Sequence, residues 1–385
     1  MSLRHLIAAV VAWSCLPSVT NAEIRYVVTN LGGLGGRWTQ PFAINEGGQV
    51  AGMSFTAGGL NHAYLYDGSA MIDLISPGQP GTYPTGAGYG LNDTGQVVGY
   101  FELDWGQPQH AFLRSAPGEI TDLGTLGGPA SHARGVNNKG EVVGDAMIGN
   151  NFTHPFLWTA ACGMIDLAPS AGNSWPYAIN DHTQVVGDTG TVDGFDRAFI
   201  WSPSTGLVTL GTLGGSHSGA KGINNVGQVV GWSSTSYGNG DEQSHGFLYD
   251  PVAGMTDLGT LGGGDSVAYG INDNGWVVGG SGIPPTVDDP ERAFVYDGTT
   301  MWNLNDLIDP SLGYTLYYAY DINNSGQIVV EAANPDRAVC ALLLTPIPEP
   351  MTGCAIPFGA VAALATGRRR TAGERGTLMP TASAA

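Results

Sequence analysis

The sequence is poor in base. Of 385 residues, 14 are Lys or Arg against 33 Asp or Glu, a formal net charge of −19. Nucleic-acid binding draws on a basic stripe or patch, and the chain offers none, which excludes that class of partner. Cysteine is scarce as well, with four in the whole chain. A disulfide-stapled fold would need more, so the body must hold together by packing. Cys15 and Cys354 fall in terminal segments, and Cys162 and Cys340 fall in different repeats, where no bridge between them is expected. Sustained i, i+3, i+4 apolar spacing is also missing from the middle of the chain, which predicts a body almost free of helix.

Glycine, by contrast, is abundant, with 60 residues, and aromatic and β-branched side chains are plentiful. This mixture argues against disorder and for many tight turns between short strands. The acidic balance fits solubility outside the cytoplasm. A second reading, in which some carboxylates collect calcium, stays open beside it.

Self-similarity dominates residues 23–345. A motif of the form apolar-Asn-x-x-Gly-Gln-Val-Val-Gly places its Asn at 45, 92, 137, 180, 224, 272 and 323, at intervals of 43 to 51 residues. Repeats of this period mean propellers, solenoids or arrays. Each copy carries four strand signals. The first ends at the Asn, the second is Gln-Val-Val-Gly, and the third is His-Ala-Phe-Leu or an Arg version. The fourth is Asp-Leu-Gly-Thr-Leu-Gly-Gly, as at 122–128 and 257–263. Short strands bounded by Gly, Asn and Asp predict a four-stranded antiparallel meander. Between the first two strands, residues 92–95 suit a type I turn closed by a Gly with positive φ. Six copies have that Gly; the fourth has Thr183, which predicts a strained or differently shaped turn. In the third strand His110, Phe112 and Arg114 share one face and Ala111 and Leu113 the other, the pattern of a sheet buried on both sides.

The register of the ends points to closure. A fourth-type strand at residues 24–31 precedes any first strand, and the last copy stops after a third-type strand at 337–344. An N-terminal strand that completes the last blade satisfies both ends, giving an all-β, seven-bladed β-propeller of four-stranded blades. The alternative, an open β-solenoid, would begin and end on whole capped units.

The two ends read as addresses. Residues 1–22 have a polar start at Arg4 and His5, an apolar run over 6–16 and small residues before Ala22, the form of a secretory signal peptide cleaved after Ala22. At the other end a Pro-rich spacer is followed by an uncharged run, 351–367, and then by Arg368, Arg369 and Arg370. That run is at the short limit for a bilayer helix and suits transient anchoring in the inner membrane. In order and spacing, Pro348-Glu349-Pro350, the apolar run and the Arg cluster resemble the PEP-CTERM sorting signal. This segment, 346–370, is followed by a tail, 371–385, longer than the family usually has. The resemblance implies recognition by an exosortase-like membrane enzyme, cell-surface or extracellular localisation, and association with exopolysaccharide.

The body resembles bacterial extracellular HAF-repeat proteins. His110-Ala111-Phe112 matches the eponymous triplet, and His62-Ala63-Tyr64, His154-Pro155-Phe156 and His245-Gly246-Phe247 are variants. The resemblance implies the repeat architecture and little about activity.

Recurrent polar residues read as structural. The seven Asn act as turn caps that need no other role. The third-strand positions 62, 110, 154, 197, 245, 292 and 337 alternate between His and Arg. Arg neither ligates zinc nor acts as a base near neutral pH, so a contact common to both types is expected. The remaining candidates are irregular loop residues: Glu102, Asp104 and Trp105; Asp193, Phe195 and Asp196; Asp241, Glu242 and His245; and Asp288, Asp289 and Glu291 beside Pro284-Pro285. Acids with aromatic rings could bind sugars or serve as a glycosidase pair, although solvated acidic loops look the same. The expectation is a non-enzymatic, surface-associated or secreted matrix, adhesion or glycan-binding module without a cofactor. A carbohydrate-active hydrolase or lyase and a calcium-stabilised scaffold are the alternatives.

Overall fold

A computed structural model describes residues 26–348, apart from segments 76–83, 103–105, 117–118, 150–151, 169–171, 236–242 and 285–290. The expected leader 1–22 with Ala22, the apolar run 351–367, and Glu349, Pro350, Arg368, Arg369 and Arg370 lie outside the described residues, as do Cys15 and Cys354.

Alternating side chains and Gly-closed turns give seven antiparallel meanders, 28 strands among the described residues. Blade 2 shows the plan, with Thr85–Leu91, Val97–Glu102, His110–Ala116 and Glu119–Asp122 running from the inside outward. Blade 7 consists of Thr315–Ile322, Ile328–Ala333, Val339–Pro346 and, as its fourth strand, the N-terminal Tyr26–Asn30. Tyr26 pairs with Pro346 and Asn30 with Leu342, antiparallel. Blade 7 then packs on blade 1, where Val329, Ala341 and Leu343 join Val50, Tyr64 and Tyr66 in one apolar cluster. The ring closes through the offset ends, as the register predicts, and the open solenoid is excluded. Helix among the described residues is confined to two short 3-10 turns, Leu304–Leu307 and Pro310–Leu312.

Blades stack because each is apolar on both faces. Phe112 packs toward blade 1 with Ala51, Ala63 and Leu65, whereas Ala111 and Leu113 pack toward blade 3 with Ala133 and Val142. Gly99 lets the first strand lie flat beneath the Phe, since a Cβ there would collide with the Ala87 carbonyl. In blade 1 Tyr64 takes the place of the Phe. Its hydroxyl is buried without a hydrogen-bond partner among the described residues, and burial pushes its ionisation far up. Removing an orphaned buried hydroxyl while keeping the ring recovers about 1–3 kcal/mol of desolvation. Tyr64→Phe is therefore expected to raise the urea midpoint, and a lower midpoint would count against this account.

The turn of the fourth copy is strained, one of the two outcomes expected for it: Thr183 takes φ 60°, and its N–H donates to the Asn180 carbonyl at 3.1 Å, as Gly95 does to Asn92, so the shape is the common one. A β-branched residue there costs about 1–2 kcal/mol, in part offset by a 2.8 Å bond from its hydroxyl to Glu141. The fourth strand does not run along Asp-Leu-Gly-Thr-Leu-Gly-Gly but ends at its Asp, as in Glu119–Asp122 and Gly254–Asp257. The rest of the segment crosses to the next blade. Arg337 is not a third-strand residue, since it sits at φ 60° in a turn and the strand begins at Val339. Cys340, paired with Ala332, holds the position that His110, paired with Phe101, holds in blade 2.

The His and the Asp explain one another. His110 Nδ1 meets Asp122 Oδ2 at 2.8 Å, while Asp122 Oδ1 accepts the Gly124 N–H at 2.8 Å. One carboxylate thus ties the third strand to the fourth and caps the turn leaving it. His62–Asp73, His154–Asp166 and His245–Asp257 repeat the pair. Arg197 uses other partners, Asp193 and the Ser216 carbonyl, so the contact expected to be common to both types is not shared.

Candidate functional site

The first strands of all seven blades line a channel on the axis. Each ends on the repeat Asn, whose side chain has two jobs rather than the single one expected. Asn45 Oδ1 accepts the Gln49 N–H at 2.9 Å, capping its own turn, and Asn45 Nδ2 donates to the Asn92 carbonyl of the next blade at 3.1 Å. Seven such inter-blade bonds, 2.9–3.1 Å long, run from Asn45 through Asn92, Asn137, Asn180, Asn224, Asn272 and Asn323 back to Asn45.

The following residue makes a second closed ring. The main-chain N–H of Glu46 donates to Asp93, that of Asp93 to Asn138, and so on through Asp181, Asn225, Asp273 and Asn324 back to Glu46. Acids and amides alternate, so neighbours complement each other. An odd-membered ring cannot alternate throughout, and the fault falls at Glu46 and Asp93. This mouth encloses about 190 Å³ and is occupied with holding the blades together.

Beyond the Asn ring the channel widens to a cavity of about 420 Å³. Its walls come from the position three residues before each Asn, where the repeat stops repeating: Phe42, Tyr89, Arg134, Tyr177, Lys221, Tyr269 and Tyr320. The rings of blades 6, 7, 1 and 2 touch in series. Tyr269 and Tyr320 are 5.3 Å apart, Tyr320 and Phe42 5.7 Å, and Phe42 and Tyr89 5.1 Å, at interplanar angles of 40°, 71° and 58°. They form a cup rather than a flat slot.

Blades 3 to 5 supply the charge. Arg134 Nε donates to Asp145 Oδ1 at 2.7 Å, His132 Nδ1 meets Asp145 Oδ2 at 2.9 Å, and the guanidinium lies 4.8 Å from the Tyr89 ring centroid. Burial would raise the Asp145 ionisation, but the His132 bond and the Arg134 charge hold it below the usual range. The Lys221 ammonium stands 3.5 Å from the Tyr177 ring centroid. Burial pulls its pKa down, against the opposing pull of Asp188. Asp188 is pushed up to about 6, chiefly by burial, and its Oδ1 has no hydrogen-bond partner among the described residues. Gly219 makes room for the Trp232 indole, whose Nε1 would stand 2.8 Å from a Cβ there. On the far side Glu331 accepts from Gln40 at 2.6 Å and Tyr320 at 3.1 Å, and burial raises its pKa.

The sequence candidates lie elsewhere. Glu102 accepts the Gly106 N–H, and Asp193 meets Arg197 at 3.2 Å across a short turn. Phe195 stacks edge-on against His217. Asp196 and Glu291 begin the third strands of blades 4 and 6. None of these lines the cavity. Asp104, Trp105, Asp241, Glu242, Pro285, Asp288 and Asp289 lie outside the described residues. Among the described residues no group of three or more His, Cys, Asp or Glu is arranged to hold a metal ion. No helix there is long and apolar enough to cross a membrane.

No family model matches the chain, and no curated protein does. Solved structures do. TolB from Acinetobacter baumannii is similar at 9% identity and TM-score 0.46, over 78% of this chain and 63% of that one. A puromycin hydrolase is similar at 15% and 0.48, over 84% and 53%. A gluconolactonase from Xanthomonas campestris is similar at 10% and 0.38, over 83% and 100%. The chain thus spans less than two thirds of the first two. These likenesses concern the fold, and no residue role is carried over from them.

Proposed function

We propose that this chain is an exported propeller that binds a carbohydrate in the wide end of its channel. The observation that carries the reading is the aromatic cup of Phe42, Tyr89, Tyr269 and Tyr320 beside Arg134 and Lys221. Sugars offer C–H faces for aromatic rings and hydroxyls for polar ones, and the tilted rings meet a puckered ligand from several sides. A flat aromatic ligand would call for parallel faces.

Binding without catalysis is favoured because the carboxylate lining the cavity among the described residues is Asp321, whose two oxygens accept the Ile44 and Ile322 N–H groups, while Asp145, Glu331 and Asp188 lie outside the lining on separate blades. The rival reading, a carbohydrate-active enzyme, has Asp188 in its favour, a carboxyl poised near neutrality with one free oxygen. For the address, the proposal keeps a signal cut after Ala22 and exosortase-type sorting at Pro348-Glu349-Pro350. In its support, the described strands begin at Tyr26 and end at Pro346, so neither cut removes a strand.

A glycan array with the purified full chain tests the reading, followed by a hydrolysis assay on each hit. Binding that falls at least tenfold in Tyr269→Ala with an unchanged melting temperature is the expected result. Turnover abolished by Asp188→Asn would establish the enzyme instead, and an array without hits would reject both.

A further inference from the structure

The charge in the cavity runs against the character of the chain. With 14 basic residues in 385, the protein places two of them, Arg134 and Lys221, in the wall of one cavity, near enough for Arg134 to depress the Lys221 pKa. Burying like charges together is unfavourable unless something of opposite sign completes them. Arg134 is the more nearly completed: its Nε is bound to Asp145, and its guanidinium lies against Tyr89. Lys221 is less so, for its ammonium lies over the Tyr177 ring and donates no hydrogen bond among the described residues.

Asp188, on the blade between theirs, does not line the cavity, and its charge acts on Lys221 from outside that lining. A ligand that fills this cavity meets the two cations in its wall, Arg134 and Lys221, and a negative group suits them. It must also bring an apolar face for the cup formed by Phe42 and Tyr320. Asp145 and Asp188 offset the two positive charges from outside the cavity lining, so the cations face the cavity with little net charge behind them. That balance matches a single carboxylate better than a doubly charged phosphate.

The geometry points to a carboxylate-bearing sugar, a uronic acid residue, as the ligand of the channel. Its carboxylate lies between Lys221 and Arg134, and the ring rests in the cup. This rests on the carbohydrate reading above and narrows it.

Calorimetric titration of the full chain at low ionic strength provides the test, with D-glucuronate and D-galacturonate set against D-glucose, D-galactose and acetate. The acid sugars are expected to bind at least tenfold more tightly than their neutral counterparts and than acetate. Lys221→Met should remove that preference and Lys221→Arg should keep it, which separates loss of charge from loss of fold. Equal binding of acid and neutral sugars would overturn this inference and leave the carbohydrate reading standing. Acetate binding as tightly as glucuronate would overturn it in favour of a plain anion pocket. No binding of any sugar, even by the unaltered chain, would remove the carbohydrate reading with it.

Discussion

Deleting residues 26–31 is expected to cost the ring its cooperative unfolding transition, although six blades keep all their strands. The segment supplies the fourth strand of blade 7, paired over Tyr26–Asn30 with the strand Val339–Pro346. Tyr26 is buried among Leu342, Leu344 and Ile328, and Leu31 among Val50, Val329 and Leu343. Truncating one large buried side chain typically costs about 2–5 kcal/mol, and a whole domain is stable by only about 5–15 kcal/mol. Two such side chains and a strand ladder are lost together. The deletion also leaves Val339–Pro346 as an unpaired edge with a leucine-rich face, a template for aggregation. Urea unfolding followed by near-ultraviolet circular dichroism gives the readout. A broad, early transition is expected, and a synthetic peptide of residues 24–34 should sharpen it when added in trans. A midpoint equal to that of the intact chain would show that closure does not depend on this strand.

That closure was legible in the sequence because its causes are local. A Gly at the turn, an Asn ahead of it and alternation along the third strand can each be read from a few neighbours, and an offset of one strand between the ends does the rest. The fourth strand was misread for an informative reason. Asp-Leu-Gly-Thr-Leu-Gly-Gly is constant because turn chemistry and the His–Asp tie constrain it. The strand before it, such as Glu119–Asp122, is the exposed outer edge and varies freely. Constancy marked the constraint, not the strand.

The cavity was harder to find. It is built from the residue three before each Asn, and Phe42, Tyr89, Arg134, Tyr177, Lys221, Tyr269 and Tyr320 look like noise when the copies are aligned. The usable signal was bulky, varied side chains within an otherwise uniform inner strand. The acidic and aromatic loop residues are the louder signal, since function is common on loops. The inter-blade half of the Asn role could not be seen at all, because it joins residues 43 to 51 positions apart, and 278 at the seam, only once the ring has formed.

Asp321 should make the ring less stable as pH rises from about 4 to 7. Two residues before the repeat Asn, six blades carry Ala43, Gly90, Gly135, Ala178, Gly222 and Gly270, because adjacent inner strands nearly touch there. A Cβ on Gly90 would stand 3.0 Å from the Gly135 Cα. At the closing seam the residue is Asp321, whose Oδ2 accepts the Ile44 N–H of blade 1 at 3.0 Å and whose Oδ1 accepts its own Ile322 N–H at 2.9 Å. Burial pushes its pKa up to about 7 from an ordinary 3.8, outweighing those two bonds, and the charge of Glu46 adds to the rise.

Between those two values the folded chain keeps a proton that the unfolded chain releases. Asp321 therefore contributes stability fully below pH 4 and loses it as pH climbs through 7. A gap of about three units corresponds to on the order of 4 kcal/mol. Asp188 and Glu331, also raised, act in the same direction. Asp145 and Asp297, which are lowered, act in the opposite direction but only below about pH 4, outside the window. Urea midpoints measured from pH 5 to 8 should fall for the unaltered chain and fall much less for Asp321→Asn. The same slope in both would reject the assignment. Asp321→Ala also removes the titration, but it strips the Ile44 and Ile322 N–H groups of their acceptor at the seam. It should be the less stable variant at every pH, because the carboxyl that weakens the ring at neutral pH is also the group that joins its ends.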